Sequence, residues 1–299
     1  MGRIIDYDEV ISTNGTTALA DDDVFIIDGQ AGSRKVKAKE LAQALADKLP
    51  KNAASVGVGY GKSGIYRGAS LGSGTSFAAA SSAAQRAAIA AGTFEGLFVG
   101  DYWTINNRIY RIADFNYWKR SGDTDFNTNH IVIVPDANFG NSAMNDTNIT
   151  TGAYVGSKMY TSSDSMLNAA RNTISNDFGS YLASHKEYLP NAVDSSGAQS
   201  AGAWYSSTVE LMNEPMVYGC FIHAKPTSGV GHLYTIDKAQ LALFRLNPAM
   251  VNLRYSYWLR DVVSSATFAC VDGLGRANFD VASSTSLGVR PAFAVKGTA

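Results

Sequence analysis

The chain has 299 residues, 45% of them hydrophobic and 17% charged. That is enough for one large domain or two modest ones with a proper core. With 25 basic and 26 acidic residues, the net charge is −1, so there is neither a basic surplus for nucleic acid nor an acidic tail for a charged partner. The start, Met-Gly-Arg-Ile-Ile-Asp-Tyr-Asp, places acids where a signal peptide carries its apolar core, and Asp6 breaks the myristoylation pattern. No apolar run reaches the length of a membrane span. These features predict a soluble protein made in the cytosol, without a signal sequence of its own and without membrane insertion. Cys220 and Cys270 are the only cysteines. They are too few and too far apart for a disulfide framework or a zinc site, and are expected as free thiols, mostly buried.

Residues 1–50 read as a small module. Val24-Phe-Ile-Ile27 is an apolar strand preceded by three aspartates and closed by the turn pair Asp28-Gly29. A helix is predicted from Val36 to Leu49, with Val36, Leu41, Leu45 and Leu49 at near-helical spacing and Pro50 as its stop. One strand and one helix cannot bury their own faces, so the module calls for a partner surface.

Residues 51–93 are predicted as a glycine-rich arm followed by an alanine-rich helix. Glycines punctuate 57–74, and Gly57-Val-Gly-Tyr-Gly-Lys-Ser63 imitates a nucleotide-binding loop. It lacks the first glycine, where Val56 stands, and no hydrophobic strand precedes it. Thr75 to Ala91 is predicted as one helix capped by Ser76 or Thr75, with Phe77, Ala84, Ala88 and Ile89 along one side and Gly92 as its end. Its small side chains suit close packing, against another copy in an oligomer or as a scaffold under the next domain.

From Phe94 onward the texture is α+β. Asp101 to Ile105 and Arg108 to Ile112 flank Asn106-Asn107, a pair that tolerates positive φ and predicts a two-residue hairpin. Arg120 to Asn129 reads as a polar surface loop, and Ile131-Val-Ile-Val134 as a buried strand ended by Pro135-Asp136. Asp164 is expected to cap a helix carrying Leu167, Ala170, Ile174, Phe178, Tyr181 and Leu182 on one face. Asn191 to Gly202 reads as a loop, Trp204 to Tyr218 as strand and turn, and Lys238 to Leu246 as a short helix stopped by Asn247-Pro248. The closing stretch runs from Tyr255-Ser-Tyr-Trp-Leu-Arg260 through Cys270-Val-Asp-Gly-Leu-Gly275 to Gly288-Val-Arg-Pro-Ala-Phe293. It reads as an aromatic strand, a glycine turn, a polar strand and a closing strand. Pro291 forces Arg290 extended, where it can pair with an acid in the core. Trp258 is expected inside and its neighbour Tyr257 outside, by strand alternation.

Reaction chemistry is sparse. His130, His185, His223 and His232 lie in no Gly-x-Ser-x-Gly context and in no paired metal-binding motif. Glu210 with Glu214, and Asp123 with Asp125, are carboxylate pairs without a sequence reason to face across a cleft. The chain is therefore not expected to be an enzyme, and no cofactor or metal is assigned to it.

Three phrases carry a resemblance. The run from Phe94 to Trp118 with Gly122 to Asp136, the phrase Thr151-Gly-Ala-Tyr-Val-Gly-Ser157, and the closing stretch together resemble the C-type-lectin-like domain common in bacteriophage structural proteins. Asp23-Val-Phe-Ile-Ile-Asp-Gly29 resembles the N-terminal attachment modules of phage tail and baseplate proteins. The resemblance implies three parts: a particle-attachment module (1–50), an arm with an oligomerisation helix (51–93), and a lectin-like domain (94–299). It implies a virion protein, such as a tail fibre, tail tip or spike, that attaches to other virion proteins through its N-terminal module. Such a protein binds a host cell-surface protein or glycan, and a homotrimer is expected. The binding patch would include Tyr255, Tyr257, Arg260, Asp261, Ser264, Thr267, Phe268 and Asn278. A purely structural capsid decoration or head fibre is the competing reading. The resemblance extends to variable proteins of diversity-generating retroelements, which would make 255–286 the variable segment. The chain departs from sugar-binding lectins, because it has Asn213-Glu-Pro-Met216 without a later Trp-Asn-Asp. It also lacks the closely spaced cysteines of formylglycine-generating enzymes.

Overall fold

A computed structural model describes residues 24–29, 32–37, 64–224, 226 and 240–299. The chain divides into two compact units, residues 1–54 and 55–299. In the first, β1 (Val24–Gly29) and β2 (Gly32–Lys37) form an antiparallel hairpin in register from Val24↔Lys37 to Gly29↔Gly32. The expected strand is therefore present. The expected helix is corrected at its start, because Val36 and Lys37 are in β2, and its remainder lies outside the described residues. So does the loop at 57–63.

The second unit is mixed α+β, mostly sheet with few helices. Its main sheet runs β10-β14-β6-β5-β4-β3, and β7 (Leu182–Ala183) also pairs with β14. The strands are β3 (Ser70–Gly74), β4 (Tyr102–Ile105), β5 (Arg108–Phe115), β6 (His130–Pro135), β10 (Val209–Leu211) and β14 (Pro291–Lys296). All neighbours are antiparallel except β3 and β4. The β4–β5 turn forms as its sequence requires, with Asn106 at φ 48° and Asn107 at φ 64°, the twist that matches a two-residue hairpin. Strand β6 is buried at all six positions. This explains its unbroken apolar run, since both faces of the strand are covered.

Two boundaries differ from the sequence reading. The arm ends earlier than expected, because β3 pairs with β4 and Tyr66 packs on the core. Gly72 is needed there: it sits at φ 153°, and a Cβ on it would lie 2.1 Å from the Ala80 carbonyl oxygen. The alanine-rich stretch is not one helix but two, α1 (Phe77–Ala80) and α2 (Ala83–Ala91). Ser82 starts the second with a capping box to Gln85. Phe77 and Ile89 are fully buried in the domain's own core, so these helices belong to the domain that was expected to start at Phe94.

The central core is aromatic. Phe77 stacks on Phe178 at 5.3 Å and meets Trp103 edge-on at 5.2 Å, while Phe178 packs against Tyr110 and Phe293 at 4.9 Å each. Phe178 ends α3 (Met166–Phe178), whose buried face is Leu167, Ala170, Ile174 and Phe178. Ser165, rather than Asp164, caps this helix, accepting from the Asn168 amide at 3.1 Å. Asp177 on the last turn accepts from Tyr110 Oη at 2.5 Å and Asn106 Nδ2 at 2.7 Å. That pins the helix to the β4–β5 turn.

The segment expected as a loop, Asn191 to Gly202, is mostly a hairpin of β8 (His185–Val193) and β9 (Gln199–Ser207). Its small residues concealed it. The Tyr188 ring lies across Gly202, where a Cβ would approach to 2.3 Å, and Tyr188 Oη donates to the Gly202 carbonyl at 2.8 Å. A small residue is required opposite a ring that lies flat on the sheet.

Candidate functional site

The closing stretch builds a three-stranded antiparallel sheet of β11 (Tyr257–Val262), β12 (Thr267–Val271) and β13 (Ala277–Val281). Alternation along β11 was expected to expose one face. Instead both faces are covered. Tyr257 and Leu259 belong to the central core, while Trp258, Val262 and Phe268 belong to a second cluster with Met144, Tyr154 and Leu189. The far edge of β11 is closed too, since Trp258 N donates to Gly288 O at 3.0 Å and Arg260 N to Met212 O at 2.9 Å. Trp258 is inside as expected. Tyr257 is corrected: it is fully buried and its hydroxyl donates to the Val251 carbonyl at 3.0 Å.

Four of the eight expected patch residues are therefore interior: Tyr257, Arg260, Asp261 and Phe268 are each at most 3% exposed. Ser264 and Thr267 are partly exposed and bond one another at 2.7 Å. Tyr255 (73%) and Asn278 stand in solvent. Among the described residues Arg290 meets no acid. It is fully buried, with Nε donating to Pro135 O and Nη1 to Met250 O, both at 2.9 Å, and its guanidinium lies 5.3 Å from the Tyr257 ring centre.

The surface feature sequence reasoning missed is the outer strand, β13. Among the described residues seven large hydrophobics are exposed, and six gather around this sheet. Phe279 and Val281 are on β13 itself, and Leu274 is in the β12–β13 turn. Tyr255 lies against that turn, its amide 3.8 Å from the site of a Cβ on Gly273. Ile222 precedes His223, whose ring meets Phe279 edge-on at 5.1 Å. Ile149 follows Asn148, which accepts from Ser283 N at 3.1 Å just past β13. Exposed apolar residues scattered singly are ordinary, whereas their collection at one place marks a contact surface.

Among the described residues strand β13 is also an unpaired edge of its sheet. Ladder pairing uses Phe268↔Asp280 and Cys270↔Asn278, which leaves the amides of Phe279 and Val281 pointing outward. Each is already taken by the preceding side chain, Asn278 Oδ1 at 2.9 Å and Asp280 Oδ1 at 2.8 Å. Edge amides covered in this way are poor templates for strand addition, so this edge offers side chains rather than backbone.

Beneath β11 runs a belt of buried charge. Glu187 (3% exposed) bonds His185 Nε2 at 2.9 Å through Oε1 and pairs with Arg260 through Oε2. Burial would raise this carboxyl, but Arg260 and the His185 ring outweigh it and hold it down at about 2. Glu210 accepts from both Arg171 Nη2 (2.9 Å) and Tyr154 Oη (2.7 Å). Burial still pushes its carboxyl up despite Arg171. Asp261 accepts from the Glu214 amide at 2.5 Å, and burial together with the Glu214 charge pushes its carboxyl up to about 7. The Glu214 carboxylate in turn holds the amides of Ile222, His223 and Ala224, each at 3.0 Å. Glu210 and Glu214 thus have separate structural partners. The signal for this belt was His185-x-Glu187, two polar groups on the same face of a strand.

The belt reaches the surface at a small cleft. Four rings line it: Tyr117 and Trp118 from the loop after β5, and Tyr188 and Trp204 from the β8–β9 hairpin. Glu187, Asn213 and Arg260 also line it, with Lys186 and Ser121. Its space is about 20 Å³, room for a water-sized group.

Among the described residues there is no group of three or more His, Cys, Asp or Glu side chains placed to hold a metal ion. Cys220 is exposed and Cys270 buried, both free. Burial, with Asp280 and Asp272 nearby, pushes the Cys270 thiol up to about 12, which leaves it unreactive. Among the described residues no helix is long and apolar enough to cross a membrane. No protein-family model, curated protein or solved structure matches this chain.

Proposed function

We propose that this chain is a bacteriophage virion structural protein whose larger unit is a C-type-lectin-like recognition domain. It binds a host surface through the apolar patch around β13. The observation that carries this reading is that, of the seven exposed large hydrophobics among the described residues, six lie on or beside the three-stranded sheet. That sheet comprises the closing stretch which resembles the phage lectin-like domains. In this reading the patch is revised to Tyr255, Leu274, Phe279 and Val281, with Ile222 and His223 beside it. Side-chain contact by exposed rings and aliphatics at the centre of a patch is the usual source of binding energy between proteins. The N-terminal unit then serves attachment to other virion proteins. A homotrimer presents three patches, which multiplies avidity on a cell surface.

Antibody against the chain, imaged on purified phage particles of its genome by electron microscopy, tests the assignment. Label at the tail tip or on fibres is expected. Label confined to the capsid would favour a decoration role, and absence of label from intact particles would overturn the virion reading. Light scattering on the purified protein is expected to give three times the chain mass.

A further inference from the structure

The cleft beside the β8–β9 hairpin lies apart from the β13 patch and is not used by the reading above. Tyr188 and Trp204 are direct cross-strand partners, 5.4 Å apart at 84°, and both are partly exposed. With Tyr117 and Trp118 they give the cleft a wall of four rings. Trp118 is held in place by the His185 ring stacked 3.9 Å from it.

The polar groups of the cleft are fixed from behind. Both carboxylate oxygens of Glu187 are occupied, one by His185 and one by Arg260. Arg260 spends Nη1 on Glu187 and on the Leu211 carbonyl. Among the described residues its Nε and Nη2 donate to no protein acceptor. Asn213 uses Oδ1 to accept from the Met216 amide at 2.8 Å, which leaves Nδ2 as a donor. The site is therefore preorganised: a ligand pays little to order these groups.

Its chemistry selects among ligands. The charges cancel in pairs, Arg260 with Glu187 and Lys186 with Asp123 at 3.3 Å. An anion would find no uncompensated cation to hold it. The cleft has room for a hydroxyl group among its polar side chains. A sugar ring combines a flat apolar face with hydroxyls that both donate and accept. Aromatic rings beside fixed polar groups complement that pattern.

We propose that this cleft binds a neutral saccharide, one hydroxyl entering among Asn213, Arg260 and Glu187 while the sugar face lies on Trp204, with Tyr188 at its edge. All the groups that hold it are side chains of this chain. The one carboxylate lining the cleft has both oxygens engaged, so binding proceeds without calcium. This inference does not depend on the virion reading.

Calorimetric titration of the full chain in EDTA tests it, using cellotetraose, chitotetraose, maltotetraose and mannotetraose, with polysialic acid as the anionic arm. At least one neutral tetrasaccharide should bind, and Trp204→Ala should weaken it more than tenfold. Ser121→Trp, which fills the mouth from a surface loop without removing a buried contact, should do the same with an unchanged melting temperature. Phe279→Ser should leave the affinity unchanged. Binding of polysialic acid alone, full affinity in Ser121→Trp, a requirement for calcium, or no binding by any of the four would each overturn the proposal.

Discussion

Replacing Asp261 by asparagine should stabilise this protein at neutral pH, although Asp261 is a hydrogen-bonded residue of the core. Its carboxyl is 3% exposed and sits beside the buried Glu214, whose amide donates to Oδ2 at 2.5 Å. In an unfolded chain an aspartate titrates near 4, whereas here it is held at about 7. Below about pH 4 the group is protonated in both states and costs nothing. Between 4 and 7 the folded state keeps a proton that the unfolded state releases, so stability falls as pH rises. Above 7 the full penalty applies: three pH units at about 1.4 kcal/mol each give roughly 4 kcal/mol. Asparagine keeps an acceptor for the Glu214 amide and carries no charge to repel the Glu214 carboxylate. Its new Nδ2 group must find an acceptor in a buried place, at about 1–2 kcal/mol. The net expectation is a gain of about 2–3 kcal/mol at pH 8, shrinking to zero or a slight loss at pH 4. Urea unfolding of both proteins across pH 4–8, followed by tryptophan fluorescence, measures this. A variant less stable than the parent at pH 8, or a difference that does not change with pH, would refute the reasoning.

Two further predictions concern the frame. Glu187 has the opposite sign, because its folded value is depressed: its contribution is complete above about pH 4.5 and is lost as pH falls through about 2. Glu187→Gln should therefore cost about 3 kcal/mol at pH 7 in urea unfolding and remove that part of the acid transition. Phe77→Ala should cost about 3–5 kcal/mol, since a fully buried ring packed on Trp103, Phe178 and Tyr181 leaves a cavity that rigid neighbours cannot fill. An unchanged midpoint would mean that the domain begins at Phe94 after all.

What was legible in the sequence was local. Asn106-Asn107 announced its hairpin because only residues tolerant of positive φ fit that turn. Ile131 to Val134 announced a buried strand, and the Leu167–Phe178 spacing a helix face. The misses share a cause, which is that burial is decided by distant segments. Alternation placed Tyr257 outside on the assumption that β11 faces water on one side, but the second core cluster covers its other face. Strand β9 was hidden because Gly202 serves a ring on the neighbouring strand. Strand β3 looked like linker because its glycines fit against the α1 backbone, a contact no local pattern encodes. For the expected patch, Tyr257, Arg260, Asp261 and Phe268 are interior, and the exposed apolar side chains of the closing segment lie at Tyr255, in the β12–β13 turn and on β13 instead. Phe279 and Val281 were overlooked because an apolar residue reads as core until its strand is known to be an edge.

The central claim is that recognition resides in the β13 patch. Fluorescently labelled protein and its Leu274→Ser/Phe279→Ser variant, applied to bacterial cells that bind the parent protein, test this directly by flow cytometry. Both side chains are largely exposed, at 68% and 46%, so the variant should keep the parent's melting temperature. Loss of two apolar contacts at the centre of an interface should weaken binding more than tenfold. Undiminished binding by the variant would contradict the account.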